Sequence, residues 1–361
     1  MENAPVTLEH GFDHVAECAH IPDYYENYAF WMVASSDEHD ILMYTCMYVI
    51  KGGPGGSVWL DGDTRQHITL LSVTPIERRG KGMYDNNFAR VGWHPTQYGK
   101  PEDLKVTRGK DRVVWEMDGQ RYIHKPPVFS VKGTHAGVEM DLDFRPAGPA
   151  FFRWGAMEGA GKADRAGYKS YVFPKGTIKV GGKTYEIKSG WGTQGHQIIM
   201  RPNYDIVGEW LAPHDMYELD SITSDNVLIY LSRPTKGVTG QVRVGDKIID
   251  FQPDNKKGSI SFTVLEHWHD PRSGQNVPCR WHLAMASPEG TIDMDIQGQN
   301  RAYYQWDMKK GNTELMWIMC VGNGNVFMPD GRTVPIKDTL MRLEWCHTTK
   351  VAVESIDGPV L

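Results

Sequence analysis

The chain has 361 residues, 40% hydrophobic and 23% charged, with a mean hydropathy of −0.47; this excludes a disordered chain and suits two domains with sizeable cores. Thirty-nine basic against forty-five acidic residues leave a net charge of −6, and without a basic run this argues against nucleic acid as a partner. No apolar stretch reaches the roughly 18 residues of a membrane span.

Residues 1–5, Met-Glu-Asn-Ala-Pro, carry neither the basic nor the apolar region of a signal peptide, so a cytoplasmic location is expected. The five cysteines, Cys18, Cys46, Cys279, Cys320 and Cys346, are odd in number, widely spaced and without a CxxC pair. Buried thiols are expected rather than disulfides or a structural zinc site. The 12 Trp and 16 Tyr predict a large aromatic interior, since both are apolar rings with a polar tip.

In chain order the pattern is strand and turn. Residues 41–50 are an almost continuous apolar run ended by the Gly-Pro-Gly stretch 52–56. Residues 58–60 meet Asp61-Gly62, a hairpin signal, and 67–73 return. The same punctuation recurs at 115–117, Asp118-Gly119 and 121–124. Residues 138–144 alternate apolar with acidic at period two, so one face of a strand is charged. Two hairpins follow, 177–180 with 184–187 around Gly181-Gly182, and 241–244 with 247–250 around Gly245-Asp246. Further strands are predicted at 259–264, 280–284, 290–296, 302–306, 314–320 and 340–346. Residues 200–211 are ambiguous, and Pro202 argues against a helix there. About sixteen short strands exceed one small barrel, so two β-barrels are expected. The seam is placed near 212–222, giving domains 1–216 and 217–361.

Several cofactor signatures fail on inspection. Residues 156–163 nearly spell a phosphate loop, but Ala156 replaces the first glycine and Ala163 the hydroxyl that would hold Mg²⁺. No GxGxxG follows a strand, and no GxSxG elbow occurs. No nucleotide, flavin or metal is therefore expected. His267 and His269 would share one face of a strand beside Glu266, a ligand-like geometry without a visible third donor. A metal enzyme using that pair is one alternative.

Residues 176–196 carry a hairpin into Trp191-Gly192-Thr193-Gln194-Gly195-His196, where glycines permit close backbone approach. Trp154 and Glu158 lie upstream, and Trp210 lies downstream. A histidine, a glutamate and several tryptophans at one barrel mouth would make an apolar pocket with one or two proton donors. The other reading is a core histidine with satisfied hydrogen bonds among tryptophans that fill a barrel.

Taken together, the GTIKVGGKTYEI hairpin, Gly195-His196-Gln197, Trp210 and the later series Trp268, Pro271, Gly274, Val277-Pro278, Trp281 and Leu283 resemble a lipocalin-like two-domain family. It includes hydroxyneurosporene synthase (carotenoid 1,2-hydratase), AttH-like proteins, kievitone hydratase and fungal Diels–Alderases. The resemblance covers roughly residues 25–350. The family's turn usually reads Asp-His-x-Trp-Gly, whereas here it reads Gly195-His196-Gln197-Ile198-Ile199. The resemblance implies two tandem calycin-like barrels, no cofactor and a hydrophobic small molecule as partner. It implies His196 as the functional histidine and Asp220 or Asp225 as a later acid. Catalysis is accordingly assigned to His196, Glu158 and Asp225, and substrate contact to Trp154, Trp191, Trp210 and Tyr168. The activity implied is that of a cofactor-independent lyase or isomerase; a non-catalytic carrier of an apolar ligand is the other outcome.

Overall fold

The computed structural model describes residues 3–21, 24–51, 63–85, 96–152, 155–162, 165–199, 216–222, 227–233, 239–251, 258–272, 274–308 and 311–350. Side-chain alternation explains how its strands are used. In Val138–Pro146, Val138, Met140, Leu142 and Phe144 are buried while Glu139, Asp141 and Arg145 face water. Tyr24–Ser35 is buried on both faces. Its Tyr24, Tyr28, Phe30 and Met32 enter one core, and its Tyr25, Trp31 and Val33 enter another.

Two antiparallel sheets follow in sequence. The first runs, neighbour to neighbour, through Thr96–Gly99, Asp63–Pro75, His39–Lys51, Tyr24–Ser35, Ser189–Ile199, Arg165–Val180, Val138–Pro146, Val128–His135, Gln120–Lys125, Val113–Met117 and Lys105–Arg108. The second runs through Lys247–Phe251, Thr239–Val244, Val227–Arg233, Met216–Ile222, Thr333–Lys350, Gly311–Phe327, Gly290–Met308, Asn276–Ser287 and Ser259–His269.

Both obey one rule. The first long strand pairs with the last, Tyr24–Ser35 with Ser189–Ile199 and Met216–Ile222 with Thr333–Lys350. The two edge strands are consecutive in sequence. In the first sheet only residues 100–104 separate them, a stretch that spans at most about 18 Å. Each meander therefore curls round on itself, as in an up-and-down barrel. The fold is all-β and lipocalin-like, as expected. The chain changes sheet between Ile199 and Met216, and we propose that the division into domains 1–216 and 217–361 follows this change.

A third core joins the sheets. Tyr44 stacks on Trp317 with ring centroids 4.1 Å apart. Trp31 meets Trp191 edge to face at 4.8 Å, and the Arg342 guanidinium lies 4.3 Å from the Trp31 ring centre. The Trp191 indole N–H donates to the Leu340 carbonyl at 2.9 Å. Polar contacts close the same interface. The Gly80 N–H donates to Gln299 Oε1 at 2.8 Å, and the Asn300 amide donates to the Thr74 hydroxyl.

Two expectations are corrected. Residues 290–296 and 302–306 are one strand, Gly290–Met308, with a register shift between Gly298 and Asn300. Its polar middle resembles a loop in composition, but Arg301 is buried against Asp270 and Asn300 against Thr74. Residues 191–195 are strand rather than lead-in, within Ser189–Ile199. A Cβ at Gly192 would sit 2.0 Å from the Trp31 carbonyl oxygen, so glycine is what admits this strand beside its neighbour. The predicted turn at 52–56, strand 58–60, Asp61-Gly62 and the ambiguous 200–211 lie outside the described residues.

If the middle core binds the two sheets together, Trp317→Ala should cost about 3–5 kcal/mol, the usual loss for a buried tryptophan. Equilibrium denaturant unfolding followed by tryptophan fluorescence checks this, and a loss below about 1 kcal/mol would be incompatible with the shared core.

Candidate functional site

Ser189–Ile199 sends His196 and Ile198 into the first barrel and Trp191 and Ile199 to the core between sheets. His196 and Trp191 thus lie on opposite faces. The expected grouping of the two is corrected by strand alternation: Trp191 is an interface side chain.

Inside the barrel His196 is paired with Glu26, both without solvent exposure, at 2.6 Å between Nε2 and Oε1. His196 Nδ1 lies 2.8 Å from the His10 carbonyl oxygen. A carbonyl only accepts, so Nδ1 carries a proton. A second proton must lie between Nε2 and the carboxyl. Glu26 also accepts from the His14 backbone N–H, 3.2 Å from each oxygen, and from the Tyr24 hydroxyl. Burial alone would raise its pKa, but the hydrogen bond and charge of His196, the charge of His14 and the Tyr24 hydroxyl outweigh it and hold Glu26 below the usual carboxylate range. The short contact between them is thus a shared-proton hydrogen bond, with the Nδ1 proton of His196 already committed to the His10 carbonyl. Tyr28 and Trp115 present their rings to the imidazole, each near perpendicular at 5.5 Å.

A second chain of hydrogen bonds runs beside it. His124 Nε2 lies 2.7 Å from the Thr7 carbonyl oxygen and so donates. Its Nδ1 must then accept from the Tyr28 hydroxyl, at 2.7 Å. Beside it Tyr168 accepts from the Gln194 amide at 2.8 Å. Burial pushes His124 down to about 4, so its imidazole is neutral, as this polarity requires.

Both chains end on residues 7–14. Trp115 adds a third tie, its indole N–H donating to the Gly11 carbonyl at 2.8 Å. The segment is anchored upstream where Asn3–Ala4 pairs with Ala150–Phe151. Side chains of the barrel wall thus satisfy backbone groups that a segment without regular pairing would leave orphaned.

The sequence-predicted residues fare unequally. His196 and Tyr168 are brought together in this interior. Glu158 is exposed on the short turn Met157–Gly159 and reaches the site only as a charge felt by His10. Glu26, from the wall strand, stands where Glu158 was expected. Trp154, Trp210 and Asp225 lie outside the described residues, as does the side chain of Asp220. His267 and His269 are exposed on Ser259–His269, and no group of three ligating side chains among the described residues includes them. Burial pushes Cys46 up to about 12 and Cys279 up to about 11, so both stay thiols. Sequence reasoning missed Glu26, His10, His14 and His124. A glutamate inside the apolar run Tyr24-Tyr25-Glu26-Asn27-Tyr28 was the available signal.

No protein-family model matches the chain and no curated protein matches it. Among solved structures, a candidate AttH protein from Nitrosomonas europaea superposes with a TM-score of 0.54 at 10% identity, over 95% of this chain and 97% of that one. The chain has the lipocalin-like two-barrel fold that its sequence resembles. CghA bound to Sch210972 is also similar, with a TM-score of 0.49 at 10% identity over 90% of this chain and 89% of that one. Among the described residues no helix is long and apolar enough to cross a membrane.

The buried groups set an acid limit to the lipocalin-like fold. Burial lowers His124 from 6.5 to about 4, and it lowers His10 and His14 as well. In the unfolded chain these imidazoles bind protons near 6.5, whereas the folded chain resists doing so. Stability is therefore full above about 6.5 and falls as the pH drops toward 4, with His124 alone worth on the order of 3 kcal/mol. The depressed carboxyl of Glu26 acts in the same direction below its ordinary 4.5. Denaturant unfolding across this window should show that slope, and a flat profile would contradict the buried neutral imidazoles.

Proposed function

We propose that the protein is a cofactor-independent lyase or isomerase acting on a hydrophobic small molecule, such as a terpenoid, polyketide or prenylated aromatic. The observation that supports this reading is the hydrogen-bonded pair His196–Glu26, both fully buried among aromatic rings. Adding water to an alkene or closing a ring needs one strong donor in an apolar surround, where its charge is least screened. Shape then holds the reactive conformer.

In this reading residues 7–14 yield to the incoming molecule. The His196 Nδ1–H, now bonded to the His10 carbonyl, becomes the donor presented to substrate. Glu26 keeps the ring oriented and balances its charge. Tyr28 and Trp115 face the imidazole and would stabilise positive charge developing on a polyene. Tyr168 contributes to substrate contact, as does Trp154. Trp210 and Asp225 keep the roles that the resemblance implies for them.

A second reading is a carrier without chemistry. It is favoured by one feature: both nitrogens of His196 are engaged, one with Glu26 and one with the segment 7–14. The dyad would then be a latch.

His196→Ala alone strands a buried carboxylate and should cost about 3–5 kcal/mol, enough to confuse folding with chemistry. The decisive variant is Glu26→Gln with His196→Gln, which removes both ionisable groups together. Turnover is measured on a substrate identified by mass spectrometry of co-purified ligand. A fall of about 10²–10⁴-fold with a retained melting transition is expected. A folded double variant with full turnover would take the dyad out of the chemistry, and retention of ligand without any turnover in the wild type would establish the carrier.

A further inference from the structure

The first barrel has a second polar cluster, away from the dyad. Gln120–Lys125 marks the distance: His124 belongs to the dyad end, while Gln120 bonds to His67. Four residues of extended strand separate them by about 13 Å.

Three elements meet at that far end. His67 lies on Asp63–Pro75 and is fully buried. Asp118 sits in the turn between Val113–Met117 and Gln120–Lys125, at φ 52°. His135 ends Val128–His135, immediately before the left-handed Ala136 and Gly137. Two adjacent hairpin turns thus bring Asp118 and His135 over His67.

The hydrogen bonds around the two imidazoles determine which nitrogens hold lone pairs. Gln120 Oε1 accepts from the Thr45 hydroxyl at 2.8 Å and from His67 Nε2–H at 2.9 Å. His135 Nδ1 donates to the Thr69 hydroxyl oxygen at 2.8 Å, which in turn meets Thr45 at 3.0 Å. His67 Nδ1 and His135 Nε2 are therefore the lone-pair nitrogens. His67 Nδ1 is buried and has no hydrogen-bond partner. It faces Asp118 Oδ2 at 3.7 Å. A cation held between a lone-pair nitrogen and a carboxylate oxygen at this separation, whether a proton or a metal ion, turns their repulsion into attraction. The two rings stack at 3.7 Å and 10°, so their in-plane lone pairs run nearly parallel, and one ring must tilt for both to meet a single ion.

We propose that His67, His135 and Asp118 bind a divalent first-row transition metal ion, zinc or iron(II), and leave open positions for water or a ligand. Each residue offers one donor atom, and the three atoms lie within 4.8 Å of one another. Two ligands of one ion at about 2.1 Å are at most about 4.2 Å apart. His67 and Asp118 already satisfy this, and a side-chain rotation of His135 out of the stack completes the set. Two imidazoles and one carboxylate suit zinc or iron(II) and do not suit magnesium or calcium, which take oxygen ligands. The outward bonds to Gln120 and Thr69 are the supports that ligating histidines need to fix ring orientation and basicity. Asp118, with 16% of its side chain exposed, gives the ion a route from solvent. The site is independent of the dyad, and it departs from the expectation that the chain holds no metal.

The chelator-stripped, full-length chain is titrated with Zn²⁺ by calorimetry and with Co²⁺ by visible absorption. One ion per chain is expected, with cobalt bands of a nitrogen- and oxygen-ligated site. Asp118→Asn is the principal variant, because asparagine tolerates the left-handed backbone of this turn and leaves the fold intact. It should weaken binding at least tenfold to a hundredfold, and His67→Gln should do the same. Absence of stoichiometric binding by the wild type would overturn the proposal, as would undiminished binding by folded Asp118→Asn. Binding abolished by His267→Ala with His269→Ala, and not by Asp118→Asn, would overturn it too.

Discussion

Tyr24–Ser35 must satisfy two cores at once, and most of the molecule follows from that. A strand buried on both faces cannot alternate apolar with charged residues; each inward polar group needs a partner. On one side it packs Tyr28, Phe30 and Met32 into the first barrel. On the other it supplies Trp31 to the core shared with the second sheet. The same strand is the seam where the first meander closes, paired to Ser189–Ile199 along its whole length. Closure, the joint between sheets and the placement of Glu26 opposite His196 are three results of one strand position.

The interior polar groups behave as a unit with the segment that covers them. Glu26, His196, His124 and Trp115 are spread over different strands, yet each meets a backbone group of residues 7–14. A buried charge pair is tolerated only when its remaining valences are met. Here the covering segment meets them, so it is a structural member of the barrel. Any ligand that reaches the dyad must replace those hydrogen bonds with its own or leave them unmade.

Much of the architecture was legible because period-two alternation and glycine turns are local signals. The hairpins at Gly181-Gly182 and Gly245-Asp246 and the one-sided strand Val138–Pro146 are read directly from residue order. Tyr24–Ser35 was harder, since two-sided burial erases the alternation that marks a strand. Residues 191–195 misled because glycine stands there for close strand approach instead of a turn. His196 was singled out on its glycine-flanked position, but its partner was not, as Glu26 lies far away in sequence and meets it only through register. Glu158 was chosen by proximity along the chain, which carries little weight once strands pair across a barrel. The cluster of His67, Asp118 and His135 escaped notice for the same reason.

The hydrogen bond between Tyr28 and His124 has a direction, and that direction is set from outside the pair. In the other imidazole tautomer Nδ1 would carry the proton and the Tyr28 oxygen would accept it. What forbids the reversed state is the Thr7 carbonyl, which would then face a lone pair on His124 Nε2. With the covering segment in place the pair has a single polarity. Without that carbonyl the reversed tautomer loses its penalty, and the Tyr28 hydroxyl can change from donor to acceptor toward His124. The occupancy of the barrel mouth is thereby written into proton positions deep inside it, with no heavy atom needing to move.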